Sequence, residues 1–211
     1  MCRLLAMRSA VKVPAASYLQ PFAQVARQSK EYQGHGWGVA YRVEGDEWAY
    51  YKNIKPIWED DLQQFPASDM LIAHVRSAFR DEGIVVENNM PFYDERSIFI
   101  FNGELQGVRL REEGRIGAEK IFNVVKRFDR GDLGVALQKG AALIHKRTRH
   151  VRAMNIIMTD RRQFYVYSAY AETPAYFQLA VKYDPALVIC SEPLAGVSGW
   201  EMIANQSFRV F

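Results

Sequence analysis

A cysteine stands at position 2, in the opening MCRLLAMRS. Removing Met1 would leave Cys2 carrying a thiol and a free α-amine on one residue. The thiolate is the reactive form of cysteine, and with an ordinary pKa of about 8.5 little of it exists at neutral pH. An α-amine titrates at about 7.7–8.0, low enough to take the thiol's proton. A side-chain nucleophile activated by its own terminal amine is an established arrangement. The other reading of Cys2 is a small apolar residue that opens an edge strand.

Four further stretches carry groups suited to chemistry. FNGEL (101–105) closes an apolar run. Its Asn-Gly pair reads either as a turn or as two donors, a side-chain amide and a glycine N–H, aimed at one oxyanion. AHVRSAF (73–79) ends an apolar strand on Arg76, with His74 on the same face. A guanidinium there suits either a structural ion pair or a substrate carboxylate. QGHGWGVAYR (33–42) sets three glycines around His35 and Trp37. No Lys-Ser/Thr follows, and a strand follows in place of a helix, so it is no phosphate loop. It reads as a bend with close backbone approach. HKRTRHVR (145–152) holds four fixed cations and two histidines. No aromatic platform is interleaved for nucleic acid, and basic residues after a helix complement its dipole, so it reads as a solvated helix terminus. The histidines show no HExxH spacing and the cysteines no CxxC, so no metal site is expected.

These residues must be held by a folded chain, and the composition describes one. The 211 residues are 49% hydrophobic, 24% charged and 13% aromatic, enough for one sizeable core. The net charge of +3 is too weak and too dispersed to imply nucleic acid. Two cysteines, Cys2 and Cys190, are no disulfide framework and fit a reducing compartment. No apolar run is long enough to span a membrane, and Arg3 and Arg8 interrupt any signal-like segment. A cytoplasmic protein is expected.

Short apolar or alternating runs predict strands at 2–8, 37–43, 47–53, 70–76, 97–103, 153–159, 163–170, 176–182 and 186–192. VEGDE (43–47) and TDRRQ (159–163) read as hairpin turns. Apolar residues at helical spacing predict helices over 16–30, 117–129 and 132–145, the last two a helical hairpin across Asp129–Asp132. Strands, a helix pair and strands again suit two largely antiparallel sheets with helices outside them.

Taken in order, MCRLL, GWGVAYR, AHVRSA, ENNMPF (87–92), FNGEL and SEPLAGVSGW (191–200) resemble landmarks of the class II glutamine amidotransferase-like proteins, in their compact single-domain branch. The resemblance runs over nearly the whole chain. It implies an α+β fold, the four-layer αββα N-terminal nucleophile hydrolase sandwich with two mostly antiparallel sheets, as one domain over residues 1–211. It implies amide hydrolysis through a thioester at Cys2, with the α-amine as base and the Asn102 side chain and Gly103 N–H as oxyanion donors. Arg76 would grip the substrate's α-carboxylate, and Phe79 would adjoin it. No cofactor is implied.

The chain departs from the family pattern around the substrate. Ala78-Phe79 stands for Ala-Thr, Asn89-Met90 for Thr-His, and His35 for the acid before Gly-Trp-Gly. Gly117 stands where the family carries the aspartate that partners the α-ammonium of glutamine. A buried cation without its counter-charge is costly. The expected substrate is therefore a glutamine-like or γ-glutamyl amide without a free α-amine, unless Glu112 or Glu113 supplies the charge. No synthase domain is expected within these 211 residues besides the amidase fold. Either a separate synthase subunit accepts the ammonia or hydrolysis is the whole function. A homo-oligomer is open; nucleic acid and membrane are not expected partners. A choloylglycine-type or penicillin-acylase-type hydrolase fits less well, because those chains are longer and FNGEL and SEPL argue against them. The alternative of another class is a non-catalytic domain that keeps the fold and binds a ligand or partner.

Overall fold

The structure is a computed structural model that describes residues 1–78 and 82–211. In chain order its strands are β1 (Arg3–Pro14), β2 (Trp37–Arg42), β3 (Trp48–Asn53), β4 (Ala67–Val75), β5 (Phe92–Tyr93), β6 (Ile98–Val108), β7 (Thr148–Thr159), β8 (Phe164–Tyr170), β9 (Ala180–Lys182), β10 (Leu187–Cys190), β11 (Glu201–Met202) and β12 (Ser207–Val210). The helices are α1 (Ala16–Arg27), α2 (Gly117–Lys126), α3 (Leu133–Lys146) and the single turn α4 (Pro174–Phe177). The chain divides into two compact units, Met1–Pro91 with Leu179–Ile203 and Phe92–Gln178 with Ala204–Phe211. The α+β class with two antiparallel sheets is as the sequence implies.

The first unit is a seven-stranded sheet in the order β11-β9-β10-β1-β4-β2-β3. Every neighbouring pair is antiparallel. Alternation along the strands sorts the side chains. Leu5, Met7, Trp37, Val39, Leu71, Ala73 and Val75 share a core with Leu19, Phe22, Ala23 and Ala26 of α1. Each large side chain buried this way stabilises the fold by about 1.5–3 kcal/mol. The in-between residues Leu4, Ala6, Ala40, Ile72 and His74 point to the opposite face and are fully buried too. Cys2 and Arg76 continue that second set at the strand ends. The β1–β4 register pairs Arg3 with Val75, so the next step brings Cys2 level with Arg76.

The second unit is a five-stranded antiparallel sheet in the order β12-β8-β7-β6-β5. One face meets the α2–α3 hairpin. Phe99 stacks on Phe122 with ring centroids 5.1 Å apart, and Gly140 of α3 gives Val125 of α2 the room a side chain would take. Asn102 lies on the opposite face of β6, directly across from Asn155 of β7.

Several boundaries differ from the sequence reading. The 176–182 run is not one strand: Pro174 starts a helical turn to Phe177, and only Ala180–Lys182 is extended. β7 begins at Thr148, so most of the basic stretch is strand and only its first residues end α3. β5, β11 and β12 are too short for periodicity to mark. Among the described residues no helix is long and apolar enough to cross a membrane.

Candidate active site

Cys2 sits at the mouth of β1, partly exposed. Its Sγ accepts the Ser77 N–H at 3.5 Å and lies 3.7 Å from the Ser77 carbonyl oxygen. Burial pushes its thiol above the ordinary value. The chain's α-amine, the Ser77 N–H and Arg76 pull downward, and Glu31 adds to the rise. Met1 is in place, so the Cys2 nitrogen is a peptide nitrogen here. The Met1 ammonium pairs with the Glu31 carboxylate, and the buried Gln33 donates from Nε2 to the Met1 carbonyl at 2.6 Å.

Arg76 is buried at the end of β4. Its Nη1 donates to the Gly83 carbonyl at 2.8 Å and its Nη2 to the Glu82 carbonyl at 3.4 Å. No carboxylate among the described residues lies within ion-pair range of it. Burial lowers its pKa, against the opposing effect of Cys2. Backbone bonds fix its place: Arg76 N–H to Gly36 O at 2.9 Å and His35 N–H to Arg76 O at 3.2 Å. The His35 ring supports the next turn, its Nδ1 accepting the Ala78 N–H at 2.9 Å. The glycine-rich bend is the close approach expected of it. Gly36 has φ +106°, and a Cβ there would lie 2.2 Å from the Asn89 amide nitrogen and 2.6 Å from the Asn53 carbonyl. Phe79 lies outside the described residues.

Asn102, in the second unit, is fully buried, and neither atom of its side-chain amide has a hydrogen-bond partner among the described residues. Gly103 is a glycine for steric reasons: a Cβ would fall 2.2 Å from the Ala153 carbonyl. The turn reading of Asn-Gly fails, because both residues are in the middle of β6. Gly117 opens α2 with nothing within 4 Å of where a Cβ would stand. The two acids suggested as substitutes differ. Glu112 is held by Arg127 at 3.0 Å, while the Glu113 backbone carbonyl accepts from Asn123 at 2.9 Å.

The first unit thus gathers Cys2, Ser77, Arg76 and His35 at one strand end, and the second carries Asn102 and Gly103. The model of the family "glutamine amidotransferases class-II" matches residues 1–168. The chain belongs to the class II glutamine amidotransferases.

Solved structures of such amidotransferases share its fold. A protein described as a "glutamine aminotransferase class-II domain protein" from Silicibacter pomeroyi matches with a TM-score of 0.64 at 16% identity, over 99% of this chain and 94% of that one. A predicted glutamine amidotransferase from Pseudomonas aeruginosa matches at 0.61 and 17%, over 100% and 97%. Glutamine phosphoribosylpyrophosphate amidotransferase from B. subtilis matches at 0.64 and 15%, over 90% of this chain and 42% of that one. No curated protein matches the chain.

Sequence reasoning gave Asn88 no role and marked Asn89 only as a departure from the family pattern near the substrate. Both are buried beside the Arg76 end of the sheet, and an Asn-Asn pair in a loop carries no signal that separates a turn from a recognition element. Elsewhere the basic stretch is partly committed: Arg152 is tied to Glu104 at 2.9 Å and to Glu172 at 3.1 Å.

Proposed function

We propose that the protein is a cysteine-dependent amidohydrolase that cleaves a glutamine-like or γ-glutamyl amide through a thioester at Cys2. In this reading residues 1–211 work as one catalytic domain, and processing frees the Cys2 α-amine. The observation that carries the proposal is the strand-end cluster, in which the hydrogen-bonded thiol of the partly exposed Cys2 stands level with a buried guanidinium that meets no carboxylate among the described residues. That a family member of this fold keeps both favours catalysis over a non-catalytic ligand-binding role.

The roles follow from the chemistry of the groups. The α-amine takes the proton from Sγ, directly or through a water. The sulfur attacks the amide carbon, and the electron pair of the C=O bond moves to oxygen. Asn102 and the Gly103 N–H are assigned to that oxyanion, where preorganised donors act most strongly. Collapse breaks the C–N bond, and the leaving nitrogen takes the proton held by the α-amine, giving a thioester and ammonia or an amine. Water then adds to the thioester, loses its proton to the α-amine, and releases the carboxylic acid and the thiol. Arg76 holds the α-carboxylate by charge-assisted hydrogen bonds. Ammonia is either released or passed to a separate synthase.

The test is release of ammonia from a panel of γ-amides by the processed protein. Turnover lost in Cys2→Ser is expected. Turnover retained in Cys2→Ser, or none with any amide, contradicts the proposal.

A further inference from the structure

Two buried acceptors beside Arg76 have no partner among the described residues. Asn89 is fully buried and Asn88 nearly so, and the Oδ1 of each lacks a hydrogen bond. Their amides cannot be turned the other way. Asn88 Nδ2 donates to the Gly83 carbonyl at 2.9 Å and Asn89 Nδ2 to the Asn53 carbonyl at 2.8 Å. A carbonyl only accepts, so the nitrogen must face it and the oxygen is the atom left over.

Both amides stand next to the guanidinium strand end. Asn88 Nδ2 and Arg76 Nη1 donate to the same Gly83 oxygen, at 2.9 and 2.8 Å, which makes the two side chains neighbours. Asn89 packs on the bare Cα of Gly36, whose own carbonyl takes the Arg76 N–H. Buried polar atoms are almost always paired, and leaving one unpaired is costly. Two neighbouring acceptors left open mark a place that receives donors. An amide oxygen carries no net charge, so it satisfies a neutral N–H well but does not neutralise a buried ammonium.

We infer that Asn88 and Asn89 are specificity residues that accept an uncharged N–H next to the carboxylate held by Arg76. The substrate is then an N-acylated or peptide-linked glutaminyl-type amide, in preference to free glutamine. This inference rests on the amidohydrolase reading for its use of Arg76.

The test compares three γ-amides that share a carboxylate: N-acetylglutamine with a neutral N–H, glutamine with an ammonium, and glutaramate with neither. By ammonia release, kcat/KM for N-acetylglutamine is expected to exceed each of the others at least tenfold. A site built for a substrate N–H discriminates against the analogue that lacks it. Asn88→Leu and Asn89→Leu are expected to shrink the N-acetylglutamine-to-glutaramate ratio at least tenfold, a change that mere loosening of the fold would not give. Equal use of N-acetylglutamine and glutaramate by the native protein, or an unchanged ratio in both variants, overturns the inference. Calorimetry with the Cys2→Ser protein separates it from the hydrolase reading. Selective binding of N-acetylglutamine, with no ammonia from any of the three in the native protein, upholds the recognition and removes the hydrolase. Absence of both binding and turnover overturns the recognition as well.

Discussion

Asn102 and Asn155 face each other across β6 and β7, both fully buried, and their side chains differ in what they bond to. Asn155 donates to the Phe177 carbonyl at 2.6 Å and accepts the Ser168 hydroxyl at 2.9 Å. Asn102 bonds to nothing among the described residues. The first unit repeats the contrast. Arg42 grips Asp69 with two hydrogen bonds of 2.8 and 2.9 Å, whereas Arg76 meets only backbone carbonyls among the described residues. Burial raises both thiols, that of Cys190 to about 12, but Cys190 is sealed in the core whereas Cys2 is a partly exposed residue. Residue type alone does not say which groups the surrounding fold satisfies and which it leaves open.

The contrast predicts a ranked set of effects. Asn102→Ala should lower kcat at least about a hundredfold, the cost of one oxyanion donor, while changing stability by less than about 1 kcal/mol. Normal turnover in that variant would break the comparison at its sharpest point. Arg76→Gln should raise KM for an α-carboxylate substrate about 10- to 100-fold, the scale of a charge-assisted hydrogen bond. An unchanged KM would return Arg76 to a structural role.

Asn155→Ala should do the reverse of Asn102→Ala. It leaves the Phe177 carbonyl and the Ser168 hydroxyl buried and unpaired, a loss of about 2–3 kcal/mol in denaturant unfolding. The smallest effect belongs to Arg42. Its hydrogen bonds hold the Asp69 carboxyl below its ordinary value of 3.8. That stability is therefore present above the unfolded value and is lost as pH falls through the lower folded one. Arg42→Gln should cost only ~0.5 kcal/mol at pH 7, as partly exposed pairs do, and should flatten the acid limb of the stability profile.

How legible all this was in the sequence depends on the residue. The β2–β3 hairpin, the β4 run into Arg76 and the α2–α3 hairpin were legible because one face of each is apolar and the period shows. β1 runs on to Pro14 past a register shift after Arg8. Its outer half is largely exposed and sets Ala10 and Val11 in solvent beside Lys12, so no core-facing alternation marks it. The charged start of β7 was hidden for a similar reason: it pairs with β6 beyond a shift at Glu104/Leu105, where solvent, not a core, receives the side chains. At the site, Cys2 was legible from its position, and Asn102 and Arg76 from their place in motifs. Asn89 stood out as a departure from the family pattern, but the open acceptors of Asn88 and Asn89 did not, because an unsatisfied acceptor is a property of the packed neighbourhood and leaves no trace in local composition.

The central claim is that Cys2 becomes an N-terminal nucleophile. Intact mass spectrometry of the untagged protein tests it most directly, before and after exposure to a glutamine-shaped diazoketone with its α-amine free or acetylated. The account predicts loss of one methionine and then a single adduct mapped to Cys2. Retention of Met1, or a processed protein that takes no adduct on Cys2 from either reagent, would contradict it.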